Sequence, residues 1–147
     1  MIKLPKKIGD NMCDCITIKY TRGTKFIEIS LEDYLNNGHN NVKLCFYNNY
    51  TNDDLNYLDF EYEKYKIICN ELLNLNFNKI LADDLDYQVL AEDNDLEITL
   101  YKGSQLLTFE IFRYDYNSEK RGILKIKNIV DDLFEIIKFN KKNMELI

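Results

Sequence analysis

Apolar side chains alternate with polar ones at the start of the chain. Ile16, Ile18 and Tyr20 are separated by Thr17 and Lys19, the period-two signature of a strand with one buried face. Thr21-Arg22-Gly23-Thr24 supplies a glycine-containing turn and Phe26 to Leu31 resumes a β-rich run, so this first unit reads as a hairpin. The next stretch, "LEDYLNNGHNN", fits either a short helical turn capped by Ser30 and stopped by Gly38 or a continued strand. "VKLCFYN" then alternates again, with Val42, Leu44 and Phe46 on one side.

After residue 50 the period changes. Thr51 offers a capping hydroxyl, with Asp53 and Asp54 in the first turn, where carboxylates suit the positive end of a helix dipole. Leu55, Leu58, Tyr62, Tyr65, Cys69 and Leu72 recur at spacings of three and four, which predicts a core helix over about 52–76. Strand-like runs follow: "YQVLA", then "LEITLY" and "LLTFEIFRY" around a Lys102-Gly103-Ser104 turn, the last two forming an antiparallel hairpin. "DYNSEKRG" is a polar loop and "ILKI" a short strand. Asn128 caps a last helix over about 128–142, with Ile129, Leu133, Ile136 and Ile137 on its apolar face. Asp131 and Asp132 near its start and Lys138, Lys141 and Lys142 near its end suit the dipole.

No internal repeat or Pro/Gly-rich boundary interrupts the chain, and its one proline is Pro5. This order of elements predicts an α+β fold over a single globular domain, residues 1–147. Its antiparallel sheet has about five or six strands, with two main helices packed mostly on one face.

Length and composition agree with that picture. With 147 residues, 46% hydrophobic and 30% charged, the chain is ordinary globular material able to bury roughly 70% of its unfolded surface. No run approaches the ~20 apolar residues of a membrane span. The opening "MIKLPKKIGDN" has basic residues without an apolar stretch behind them, which leads to the expectation of a cytoplasmic protein with free thiols and an unused Asn49-Tyr50-Thr51 sequon. The abundance of Asn, Lys, Ile and Tyr reflects an AT-rich genome, of the kind found in some bacteria, phages and large viruses.

The net charge of −6 and pI near 4.9 argue against direct nucleic-acid binding, which draws its affinity from Lys and Arg on phosphates. They leave room for a basic protein partner. Cys13 and Cys15, placed on a strand, share one face and are the nearest approach to a soft-metal site. A zinc site needs about two further ligands in a second close pair, and Cys45, Cys69 and the lone His39 in its polar loop stand apart. Structural cysteines are therefore expected, with no metal and no cofactor. Asp93, Asp95 and Glu97 alternate like the first ligands of a calcium loop, but Ile98 and Ser104 occupy the positions that need glycine and the final carboxylate. The alternation fits a strand edge facing water. His39 alone makes a poor catalytic base for a Ser or Cys nucleophile, and neither a Gly-rich dinucleotide loop nor a Walker motif occurs.

What remains is an acidic segment from Leu81 to Tyr101. Asp83, Asp84, Asp86, Glu92, Asp93, Asp95 and Glu97 occur there without a Lys or Arg, beside Tyr87 and Tyr101. Carboxylates with aromatic anchors suit capture of a basic protein. The expected function is a small inhibitor, such as an immunity protein neutralising a toxin, possibly a nuclease, or a phage or viral antagonist of a nucleic-acid-binding protein. The alternatives are a metal-independent enzyme with a carboxylate and tyrosine site, and a homo-oligomeric structural subunit. On the leading reading, charge reversal at Asp83, Asp84 and Asp86 weakens capture of a basic partner and leaves the thermal midpoint nearly unchanged. A pull-down paired with a melting curve checks both halves.

Overall fold

The computed structural model describes residues 13–36, 39–75, 94–111 and 123–140. Among the described residues, a six-stranded antiparallel sheet comprises β1 (Cys15–Arg22), β2 (Lys25–Asn36), β3 (His39–Asn48), β4 (Asp53–Phe60), β5 (Asn94–Lys102) and β6 (Gln105–Ile111). Helix α1 (Tyr62–Leu73) follows β4, and helix α2 (Leu124–Asn140) follows β6. The strand order is β4-β3-β2-β1-β5-β6, a four-strand meander with the β5–β6 hairpin laid against β1. This is the α+β architecture that the periodicity predicts.

The sheet has two chemically distinct faces because period-two alternation holds along its strands. Ile16, Ile18 and Tyr20 of β1, Ile27, Ile29 and Leu31 of β2, Val42, Leu44 and Phe46 of β3, and Leu96, Ile98 and Leu100 of β5 are all buried. They share one cluster with Tyr65, Ile68, Cys69 and Leu72 of α1 and with Ile126, Ile129, Val130, Leu133 and Ile137 of α2. Both helices therefore lie against the same face, and Tyr20 meets Phe134 of α2 edge to face at 6.0 Å. No helix among the described residues is long and apolar enough to cross a membrane.

Two-residue turns set the hairpin registers. Arg22 pairs with Lys25 across Gly23-Thr24, and Lys102 pairs with Gln105 across Gly103-Ser104. Gly23 and Gly103 have φ of +62° and +59°, and Thr24 and Ser104 are not among the positive-φ residues, as in a type II′ turn with glycine first. A Cβ at Gly103 would meet nothing within 4 Å, so glycine is needed there for its backbone alone.

Four expectations are corrected. The helix of 52–76 begins only at Tyr62, because residues 53–60 form β4 against β3. The preceding segment is a turn, with Asn52 at φ +59° and Asn48 Oδ1 accepting from Tyr50 N at 2.9 Å. A bulge explains the helix-like spacing: Leu55 faces Phe46 and Leu58 faces Leu44. Tyr57, at φ +57°, lies inside that extra step, so apolar residues three apart land on one side of a strand. The stretch after Ser30, open between a helical turn and a strand, is strand, since β2 runs to Asn36 and pairs with β3 from Ile27 onward; His39, expected in a loop, opens β3 instead. "ILKI" is helical, not a strand: Ile123, Ile126, Val130, Leu133 and Ile137 are all fully or almost fully buried, a continuous stripe that starts α2 at Leu124 and leaves Asn128 inside the helix. β5 is an interior strand between β1 and β6 rather than an edge. "YQVLA" and the "DYNSEKRG" loop lie outside the described residues.

Leu44→Ala, at a position with 0% exposure, should lower the unfolding free energy by about 3 kcal/mol. Tyr57→Gly, at a positive φ that a bulky side chain tolerates poorly, should be neutral or stabilising by up to about 1 kcal/mol. Urea denaturation of the two variants checks both.

Candidate functional site

The face turned away from the helices is built in rows by the registers. Cys45 of β3, Ser30 of β2, Thr17 of β1, Thr99 of β5 and Thr108 of β6 are successive cross-strand partners. They form a line of small side chains running across the sheet. Thr99 and Thr108 share a hydrogen bond at 3.1 Å. On one side of this line stand Tyr47, Glu28, Lys19, Glu97 and Glu110; on the other stand Lys43, Glu32, Cys15, Tyr101 and Leu106. Long side chains flanking short ones leave a shallow trough.

The trough is acidic. Asp95 and Glu97 project from β5, Glu28 and Glu32 from β2, and Glu110 from β6, against Lys19 and Lys43. Lys43 is engaged by the Asp59 carboxylate, and the Lys19 ammonium lies 4.5 Å from the centre of the Phe26 ring. Partial desolvation, then the charge of Glu97 and a hydrogen bond to it, push the Glu110 pKa upward, with Asp95 adding to the effect. Crowded carboxylates raise one another in this way, and an incoming cation would relieve them.

At one end the trough opens into a depression of about 460 Å³ lined by Asp14, Cys15, Thr17, Glu32, Asp33 and Tyr101. The Asp14 main chain ties three strands together: its N–H donates to Tyr101 O at 2.7 Å and its carbonyl accepts from Asp33 N at 2.9 Å. Its carboxylate accepts from Gly103 N at 2.6 Å, anchoring the β5–β6 turn. Asp33 Oδ1 is buried and has no hydrogen-bond partner; burial, then the nearby charge of Asp14, push its carboxyl pKa upward.

The two neighbouring cysteines separate, contrary to the shared face expected of them. A bend at Asp14 precedes β1, and the main-chain bonds of Asp14 hold that bend in place. Cys15 belongs to the open face, while Cys13 turns into the core, 1% exposed. There its carbonyl accepts from the Tyr65 hydroxyl at 2.5 Å. A side-chain hydrogen bond with Cys69, and then burial, push its pKa upward; the same bond outweighs burial at Cys69 and holds that thiol lower. Burial likewise raises the Cys15 thiol, which lies 3.9 Å from Thr17 Oγ1; this is the opposite of what an activated nucleophile requires. Among the described residues no group of three or more His, Cys, Asp or Glu is placed to hold a metal ion.

Of the residues singled out from the sequence, Asp95, Glu97 and Tyr101 come together on one face of β5, with Tyr101 exposed. Asp83, Asp84, Asp86, Tyr87, Glu92 and Asp93 lie outside the described residues. Sequence reasoning missed Glu28, Glu32 and Glu110, which register alone brings beside β5. The available signal was their alternation with Ile27, Ile29, Leu31 and Ile111, which assigns them to the polar side of their strands. No protein-family model, curated protein or solved structure matches the chain.

The pKa of Asp33 lies above its unfolded value, so the folded state holds that proton more tightly. Its contribution favours folding below the unfolded pKa of about 4 and is lost as pH rises through the folded one. Asp33→Asn should therefore raise the thermal midpoint at pH 7 by about a few degrees, with the gain vanishing near pH 3. Calorimetry at both pH values checks the sign.

Proposed function

We propose that the protein is a small binding protein that captures a basic macromolecular partner on the open face of its sheet. The observation that carries this reading is the trough itself. Glu28, Glu97 and Glu110 flank one side of a floor of small side chains with Asp95 beyond them, Glu32 stands on the other side, and Tyr47, Tyr101 and Leu106 are exposed along it at 41%, 38% and 54%. Carboxylates steer and orient a cationic surface, and the exposed aromatic and apolar groups supply contact area that water gives up readily. The polar floor also suits a guest that brings its own hydrogen-bond donors, as Lys and Arg side chains do.

An inhibitor acts by occupying its target's working surface. A protein whose working surface is basic, such as a nuclease toxin or a nucleic-acid-binding protein, fits this trough by charge, and the protein would then serve as an immunity protein or a phage or viral antagonist. Charge and shape support the assignment of an inhibitor. The depression beside Asp33 favours a second reading, an enzyme that uses carboxylates and Tyr101 without a metal. It carries less weight, because the thiol there is a poor nucleophile and Asp14 is committed to holding Gly103.

The test uses the tagged chain as bait in lysate of its source, at low and at moderate salt, beside the triple variant Glu28→Lys, Glu97→Lys, Glu110→Lys. The expected result is a stoichiometric basic protein that is released as salt rises, with affinity for the variant about 10- to 100-fold weaker. Equal retention by the variant, or no partner at either salt, would sink the assignment.

A further inference from the structure

The two outer strands of the sheet are treated differently. β4 carries a bulge opposite Leu44 and Phe46, a positive φ at Tyr57, and the carboxylates of Asp53, Asp54 and Asp59, all devices that discourage another strand from pairing. β6 has neither a bulge nor a positive φ, and one carboxylate in place of three. All seven of its residues pair with β5 without a register shift, and Glu110 is its one charged residue. Gln105, Leu106, Thr108 and Glu110 are exposed.

The turn decides which backbone groups of β6 face outward. A two-residue turn makes Lys102 and Gln105 a mutually hydrogen-bonded pair, and bonded pairs then recur at every second position. Leu107, Phe109 and Ile111 therefore bond to β5, while Leu106, Thr108 and Glu110 direct their N–H and C=O groups away from the sheet. No described strand receives them.

We propose that β6 pairs with β6 of a second copy in antiparallel fashion, about a two-fold axis at Thr108, to make one continuous sheet. In this register Thr108 bonds to Thr108 of the second copy, and Leu106 lies opposite Glu110 in both directions, so all three outward residues are used. No charge is set against its like. The exposed Leu106, at 54%, gains the methylenes of Glu110 as an apolar neighbour. Centring the pair on Glu110 instead would oppose two carboxylates, and centring it on Leu106 would leave Glu110 unpaired. The Thr108 register also continues the line of small side chains through the axis, so the two troughs become one. A single strand edge buries less than a standard interface, which places the dimer in the micromolar class. Each copy carries a net charge of −6, so added salt should tighten the association, the reverse of its effect on a basic partner.

Sedimentation velocity on the purified chain, from about 5 to 300 μM at low and moderate salt, tests the proposal in the range where weak interfaces report. The expected result is a monomer–dimer equilibrium that shifts toward dimer with salt. Thr108→Pro removes an outward N–H without touching the β5 ladder, and Thr108→Lys sets like charges against each other across the axis. Each should weaken the dimer at least tenfold. Circular dichroism confirms folding, and if the proline variant does not fold, the lysine variant decides. A wild-type chain monomeric throughout the range, or a folded Thr108→Lys that dimerises as well as wild type, would overturn the proposal. The triple reversal used for partner capture leaves Thr108 intact, so failure of either proposal is read separately.

Discussion

Strand β1 pairs on both sides along its whole length, with β2 and with β5, in unbroken register from Cys15 to Arg22. Its phase therefore fixes which face every other strand presents. Ile16, Ile18 and Tyr20 must go under the helices, because a slip of one residue would exchange them for Thr17 and Lys19 and bury a cation. The same phase carries outward through both neighbours, placing Ile27, Ile29 and Leu31 beside one flank and Leu96, Ile98 and Leu100 beside the other. The acidic trough is the complement of that choice. Once the apolar set is buried, Glu28, Glu97 and their neighbours have one face left to occupy.

Much of the fold was legible wherever residue period and strand geometry coincide. β1, the first half of β2, β3 from Val42 onward and the β5–β6 hairpin follow directly from alternation and two glycine turns. β4 was not legible, because one added residue at Tyr57 converts a strand into the spacing of a helix, and Leu55 and Leu58 then extend the true stripe of Tyr65, Cys69 and Leu72 backwards. The start of α2 was misplaced for a related reason: Ile123 and Ile126 belong to the helical stripe, but four residues are too few to distinguish it from a strand.

The candidate site shows the same division. Asp95, Glu97 and Tyr101 share a face within one strand, and their common side is visible from numbering alone. Glu28, Glu32 and Glu110 join them only through registers set by long-range pairing, which a single sequence does not display. Cys13 and Cys15 went wrong at a finer scale. Strand alternation does not reach Cys13, because β1 begins at Cys15 and the bend at Asp14 sends the two thiols to opposite sides of the sheet.

Topology has a kinetic corollary. The β1–β2–β3–β4 meander and the β5–β6 hairpin each close over short stretches of chain, so either can form from local contacts. Their junction joins Cys15 to Tyr101, and it must be assembled against the entropy of the long intervening segment. Docking of hairpin onto meander thus carries a larger loop-closure cost than any other pairing in the described sheet, and until it occurs the inner edge of β1 is bare. Asp14 sits at the end of that junction, its N–H on Tyr101 and its carboxylate on Gly103, and acts as the latch that closes it.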